Sequence, residues 1–246
     1  MLRRSFVATA LAGASSSRPA VARSAGGAVD LLLALAMDVS GSLSDERLTL
    51  QRSGHARAVA SDAFLDAVAS GFHGRVALAA IEWTDRERQS LVVPWSVVET
   101  GADARQFATA LLRASRPIPG YTSISGGIDF AVALLDRAPY AAMRRVIDVS
   151  GNGPNNDGRL ASEARDDAVA AGATVNGLPM LDVVSDLAGY FAQNVIGGPG
   201  AFMVVAQDAG SFERAILRKL VLEVAHVPGE GPRDPIFAGS PMRPGS

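Results

Sequence analysis

The chain has 246 residues and a mass of 25.4 kDa, with 23 basic against 25 acidic side chains and 48% hydrophobic residues. That is enough for one complete α/β domain with its own core and too little for several, and a net charge of −2 lacks the basic field a general nucleic-acid binder needs. The absence of cysteine excludes disulfides, thiolate metal sites and cysteine nucleophiles together, and three histidines (His55, His73 and His226) leave little for a histidine-rich metal centre.

Residues 1–27 read as an export signal and linker. Arg3 and Arg4 precede a mildly apolar stretch over 6–14, and Ala20-Val21-Ala22 has the small-residue pattern of a cleavage site. The paired arginines before Ser5-Phe6-Val7 are similar to a twin-arginine signal, which predicts a periplasmic or secreted product. No later apolar run reaches the roughly 18 residues of a membrane span.

The folded unit is expected over 28–227. Residues 29–37 form an apolar run suited to a strand buried on both faces. Asp45 and Glu46 then open a helical stretch reaching about residue 69, with acids in its first turn. Strands follow over 75–84 and 89–98. Pro94 lacks the ladder donor and assigns the latter to a sheet edge. Helices are predicted over 103–114 and 124–137, a strand over 145–150, a helix over 159–171 and a strand over 174–180. A helix over 185–195, a strand over 201–206 and a helix over 211–225 close the unit. The remainder, 228–246, is rich in proline and glycine and reads as a flexible tail. Alternating strands and helices predict a Rossmann-like three-layer α/β/α domain on one mostly parallel sheet. In such sheets ligands bind beyond the carboxyl ends of the strands, where strand order reverses.

The loops at that edge are rich in small oxygen-bearing residues. Asp38-Val39-Ser40-Gly41-Ser42 follows the first strand and offers one carboxylate and two hydroxyls within five residues. Oxygen without nitrogen or sulfur suits a small hard cation. Thr122 follows Gly120-Tyr121 and opens a helix, and Asn152 lies between glycines just past a strand. Taken alone, Asp-x-Ser-x-Ser is equally a turn with helix-capping serines, and Ser42 or Ser44 suits an N-cap.

Together these segments resemble the metal-ion-dependent adhesion site (MIDAS) of von Willebrand factor A-like domains, over roughly residues 29–226. The stretches GYTSISGGIDFA, RRVIDVSGNGPNN and VIGGPGAF are similar to an uncharacterised bacterial subfamily, a domain of unknown function. The resemblance implies one antiparallel edge strand and a Mg²⁺ or Mn²⁺ held by Asp38, Ser40, Ser42, Thr122 and Asn152. It also implies a non-enzymatic, adhesion-type module whose metal engages a carboxylate of a partner protein. Family members carry Asp where this chain has Asn152, so the site loses one of two formal negative charges and a weak or conditional metal site is expected.

Two alternatives compete. One is a Mg²⁺-dependent phosphoryl-transfer hydrolase with Asp38 as nucleophile. Such enzymes place a second Asp two residues on, where this chain has Ser40, and the only lysine is Lys219 in the final helix. The other is a scaffold whose metal site has decayed. Asp148 is expected to pair with Arg144, Arg145 or a backbone group. Glu82 reads as a carboxylate that supports the site or contacts a partner, or else as an ordinary loop carboxylate. Gly197-Gly198-Pro199-Gly200 reads as a turn, Gly126-Gly127 as close helix packing, and the histidines as structural or solvent-facing.

Overall fold

The computed structural model describes residues 26–41, 44–115, 118–181 and 183–225, together with the backbone of 236–238. Residues 1–25 of the expected export signal and linker, Ser42, His226 and most of the expected tail lie outside the described residues.

Among the described residues, seven strands form one sheet: β1 (Ala28–Asp38), β2 (Val76–Trp83), β3 (Gln89–Val98), β4 (Ala141–Gly151), β5 (Thr174–Pro179), β6 (Met203–Val205) and β7 (Ile236–Ala238). Their order is β3-β2-β1-β4-β5-β6-β7, and only β3 runs antiparallel, paired with β2. Pro94 sits on that edge strand as its missing donor requires, and the register slips beside it, two features that discourage pairing with another chain. β7 falls within the expected tail and pairs parallel with β6.

β1 and β2 are buried almost throughout because helices cover both sheet faces. Leu31, Leu33, Leu35 and Met37 point into one core with Phe64, Phe107, Phe212 and Ile216. The last four come from α2 (Asp62–Ala69), α3 (Gly101–Leu112) and α7 (Ala209–Ala225), and α1 (Asp45–Val59) adds Ala56, Ala58 and Val59. Leu32, Ala34 and Ala36 face the other core, built with α4 (Ile124–Asp136), α5 (Ala161–Ala170) and α6 (Leu187–Asn194). The period of two along β1 thus feeds both layers, and each fully buried Leu or Phe contributes about 1.5–3 kcal/mol.

Three expectations need correction. The single helix expected over 45–69 is two, because Ser61 stops α1 and caps α2, its side chain accepting from Phe64 N at 3.2 Å. β4 begins four residues earlier than the apolar pattern suggests, since its start, Ala141–Arg145, alternates exposed and half-buried positions and carries no continuous apolar run. Asp148 pairs with neither Arg144 nor Arg145 but with Lys219 of α7, at 2.5 Å. The two glycine readings hold. A Cβ on Gly127 would stand 2.8 Å from the Trp83 ring, and Gly198 and Gly200 adopt positive φ in the turn before β6.

Candidate metal centre

Strand order reverses between β1, flanked by β2, and β4, so the loops after β1 and β4 border the crevice beyond their carboxyl ends. Asp38 closes β1, opposite Trp83 of β2 and one residue past the Met37–Ser150 pair with β4. It is fully buried. Oδ1 accepts from Ser40 N at 2.7 Å, which turns the chain sharply and sets Ser40 beside the carboxylate. Oδ2 has no partner in hydrogen-bond geometry.

Burial pushes the Asp38 carboxyl from 3.8 up to about 6. The hydroxyl and N–H of Ser40 and the backbone N–H of Asn152 pull it down without overcoming the desolvation. Asp38, Ser40 and Asn152 therefore meet. Gly151 makes the approach possible, because a Cβ there would lie 3.3 Å from Asp38 Oδ2.

Thr122, also buried, reaches this rim on the segment that crosses from α3 to α4. Gly41 N donates to Gly120 O at 2.8 Å, tying the crossing segment to the Asp38 loop. Ser123 N donates to Thr84 O at 2.7 Å. On the other side Thr122 N donates to Asn156 Oδ1 and Asn156 N to Thr122 O, each at 2.8 Å. Ser123 then caps α4, accepting from Gly126 N. Ser44 caps α1, accepting from Arg47 N at 3.4 Å.

Sequence reasoning missed the polar scaffold beneath the rim. Gln51 of α1 is buried; its Nε2 donates to Asp38 O at 2.8 Å and its Oε1 accepts from Ser150 Oγ at 3.2 Å. α1 carries no clear apolar stripe, since Gln51, Arg52 and His55 are themselves among its buried residues, so the hydrophobic pattern gave no signal for Gln51. Gln51 O also meets His55 Nδ1 at 2.8 Å, and burial holds that imidazole below its usual range. Deeper still, Lys219 lies between Asp148 and Glu223, at 2.5 and 2.6 Å, all three buried. Burial pulls the ammonium down, but the two carboxylates together hold it above its usual range.

A divalent cation suits these residues. The orphaned Oδ2 of a buried carboxylate is an acceptor lacking a positive partner, and such an oxygen costs free energy until it has one. Hydroxyls and an amide oxygen complete a hard donor set. Among the described residues no three His, Asp or Glu side chains cluster as a metal group, so the cation would depend on one carboxylate and neutral oxygens.

The family described as "Protein of unknown function (DUF1194)" matches residues 28–228. No curated protein sequence matches the chain. Among solved structures, a von Willebrand factor type A protein from Catenulispora acidiphila is similar with a TM-score of 0.58 at 15% identity, over 80% of this chain and 43% of that one. Proximal thread matrix protein 1 from the mussel byssus, with a zinc-occupied MIDAS motif, gives 0.55 at 13% identity, over 78% of this chain and 46% of that one. The vWF domain of the type V pili tip protein Mfa5 from Porphyromonas gingivalis gives 0.55 at 11%, over 82% and 98%. The chain spans less than half the length of the first two. At such identities the likeness is one of fold, and the fold is that of von Willebrand factor A domains.

Proposed function

The chain belongs to the DUF1194 family of proteins of unknown function, and we propose that it is an exported, non-enzymatic binding module of adhesion type. In this reading Asp38, Ser40, Ser42, Thr122 and Asn152 hold a Mg²⁺ or Mn²⁺ ion. Bound there, the metal supplies an electrophilic point that accepts a carboxylate from a partner protein. The observation that carries the proposal is the fully buried Asp38 carboxylate at the switch point of the sheet, met by neutral donors of Ser40 and Asn152 and with an Oδ2 that has no partner in hydrogen-bond geometry.

The chain's own residues set the character of the site. The Ser40 N–H and the neighbouring Asn152 N–H keep the carboxylate aimed and favour its charged form. Asn152 contributes an oxygen without charge, so a bound ion keeps more of its positive potential for the partner at the expense of affinity. The presence of a type V pili tip protein in the same fold supports a binding role. Phosphoryl transfer is disfavoured by position 40, a serine that makes a poor general acid. The only lysine is also fully buried and paired with Asp148 and Glu223. No helix among the described residues is long and apolar enough to cross a membrane.

Calorimetric titration of the chelator-treated full chain with Mg²⁺ and Mn²⁺ tests the reading. Saturable binding to the wild type and none to Asp38→Ala is expected. Equal heats for both proteins refute it. Capture of partners from the native envelope, with and without chelator, then asks whether binding to a protein follows the metal.

A further inference from the structure

Arg52 and Glu82 form a buried ion pair that the metal site itself does not use. Arg52 Nε donates to Glu82 Oε1 at 2.6 Å and Nη2 to Oε2 at 2.7 Å, a fork against a carboxylate. The same guanidinium donates from Nη1 to Ala114 O at 2.8 Å and from Nη2 to Ser115 O at 2.9 Å. Four of its five N–H groups are thus engaged. Glu82 side-chain exposure is 2% and that of Arg52 10%.

The placement gives this pair its meaning. Glu82 stands on β2 opposite Met37, one residue before Asp38. Arg52 follows Gln51, which holds Asp38 O. Ala114 and Ser115 lie just past α3, where helix carbonyls run out of intrahelical partners. They begin the segment that ends at Thr122. The described residues of this connection are therefore held at Ala114 and Ser115 by Arg52, at Gly120 by Gly41, and at Thr122 and Ser123 by Asn156 and Thr84 O.

We propose that the Arg52–Glu82 pair is a clasp that positions the α3–α4 segment, and with it Thr122, against the Asp38 loop, so that cation affinity depends on two residues that do not touch the cation. The proposal rests on the metal-site reading above. Packing alone does not explain the pair. Apolar residues of similar volume fill a buried ion-pair site as well or better, yet none would hold the carbonyls of Ala114 and Ser115. Lysine would not either. Its ammonium is a single compact charge without the planar fork needed to reach a carboxylate and two carbonyls at once. Arg52 and Glu82 are positioning residues, and such supporting partners typically alter metal affinity by about 10- to 100-fold.

The test compares full-length wild type, Arg52→Lys and the double variant Arg52→Met/Glu82→Leu, the last guarding against a fold lost to an unpaired buried charge. Mn²⁺ affinity is read by electron paramagnetic resonance. Amide hydrogen exchange is followed at Ile118 and Gly120–Ser123, with α7 as internal reference. The expected result is a drop of about tenfold or more in Mn²⁺ affinity in both variants, with faster exchange confined to the segment. If both variants bind Mn²⁺ as the wild type does and exchange there is unchanged, the clasp is refuted even if their melting temperatures fall. If the wild type itself binds no Mn²⁺, the metal-site reading fails and the claim on affinity fails with it, while segment exchange in Arg52→Lys still decides the mechanical half.

Discussion

Replacing Asp38 with asparagine should make the metal-free protein more stable while removing its response to metal. The wild-type carboxylate is fully buried, with one oxygen lacking a partner in hydrogen-bond geometry. Burial moves its titration from 3.8 to about 6. At about 1.4 kcal/mol per pH unit, that interval is about 3 kcal/mol of folding stability forfeited once the group is ionised in both states. The sign follows from the protons. Between about pH 4 and 6 the folded chain holds a proton that the unfolded chain has released, so stability falls as pH rises through this window and levels off above it. Asparagine keeps an oxygen for Ser40 N and carries no charge, but its amide group gains no acceptor where Oδ2 stood. A net gain of about 1–3 kcal/mol is expected, or about 2–4 °C in melting temperature per kcal/mol for a domain of this size. Thermal unfolding with chelator at about pH 7.5 should show the gain, and the same measurement near pH 4 should show most of it gone. Millimolar Mg²⁺ should raise the melting temperature of the wild type and leave the variant unmoved. Destabilisation by Asp38→Asn of equal size at both pH values would refute the claim that a desolvated carboxylate is held there.

Asn152→Asp should tighten Mg²⁺ and Mn²⁺ binding about tenfold or more by adding a negative charge a few ångströms from the ion, and should lower metal-free stability through repulsion with Asp38; unchanged titration heats would remove Asn152 from the site. Lys219→Met leaves Asp148 and Glu223 facing each other in the core and should cost about 3–5 kcal/mol in urea unfolding. Adding Asp148→Asn and Glu223→Gln should recover most of that loss, and failure to recover it would assign the damage to packing. Gly127→Ala places a methyl 2.8 Å from the Trp83 ring, and the overpacking, about 1–3 kcal/mol, should outweigh the roughly 1 kcal/mol gain in helix propensity. A shift in tryptophan fluorescence should accompany it, and an unchanged spectrum with raised stability would contradict the close contact.

The sequence by itself determined the layers. The apolar run of β1, buried on both faces, has no stable solution except a sheet covered on each side, and the Pro94 strand had to lie at an edge for want of a donor. The same local signals drew attention to Asp38, Ser40, Thr122 and Asn152, because short oxygen-bearing residues at strand ends belong to turns and caps as well as to ligand sites. Local pattern also misled where two helices follow one another without a proline or glycine between them: only the side chain of Ser61 accepting from Phe64 N reveals the break. Tertiary structure alone decided how far each polar group is desolvated and by whom it is met. No spacing along the chain pairs Lys219 with Asp148, Arg52 with the carbonyls of Ala114 and Ser115, or Gln51 with Ser150, since each contact joins elements that the parallel crossovers bring together. The orphaned oxygen of Asp38 has the same origin, because the charge is written in the sequence and its isolation from water is made only when β1, β2 and β4 close around it.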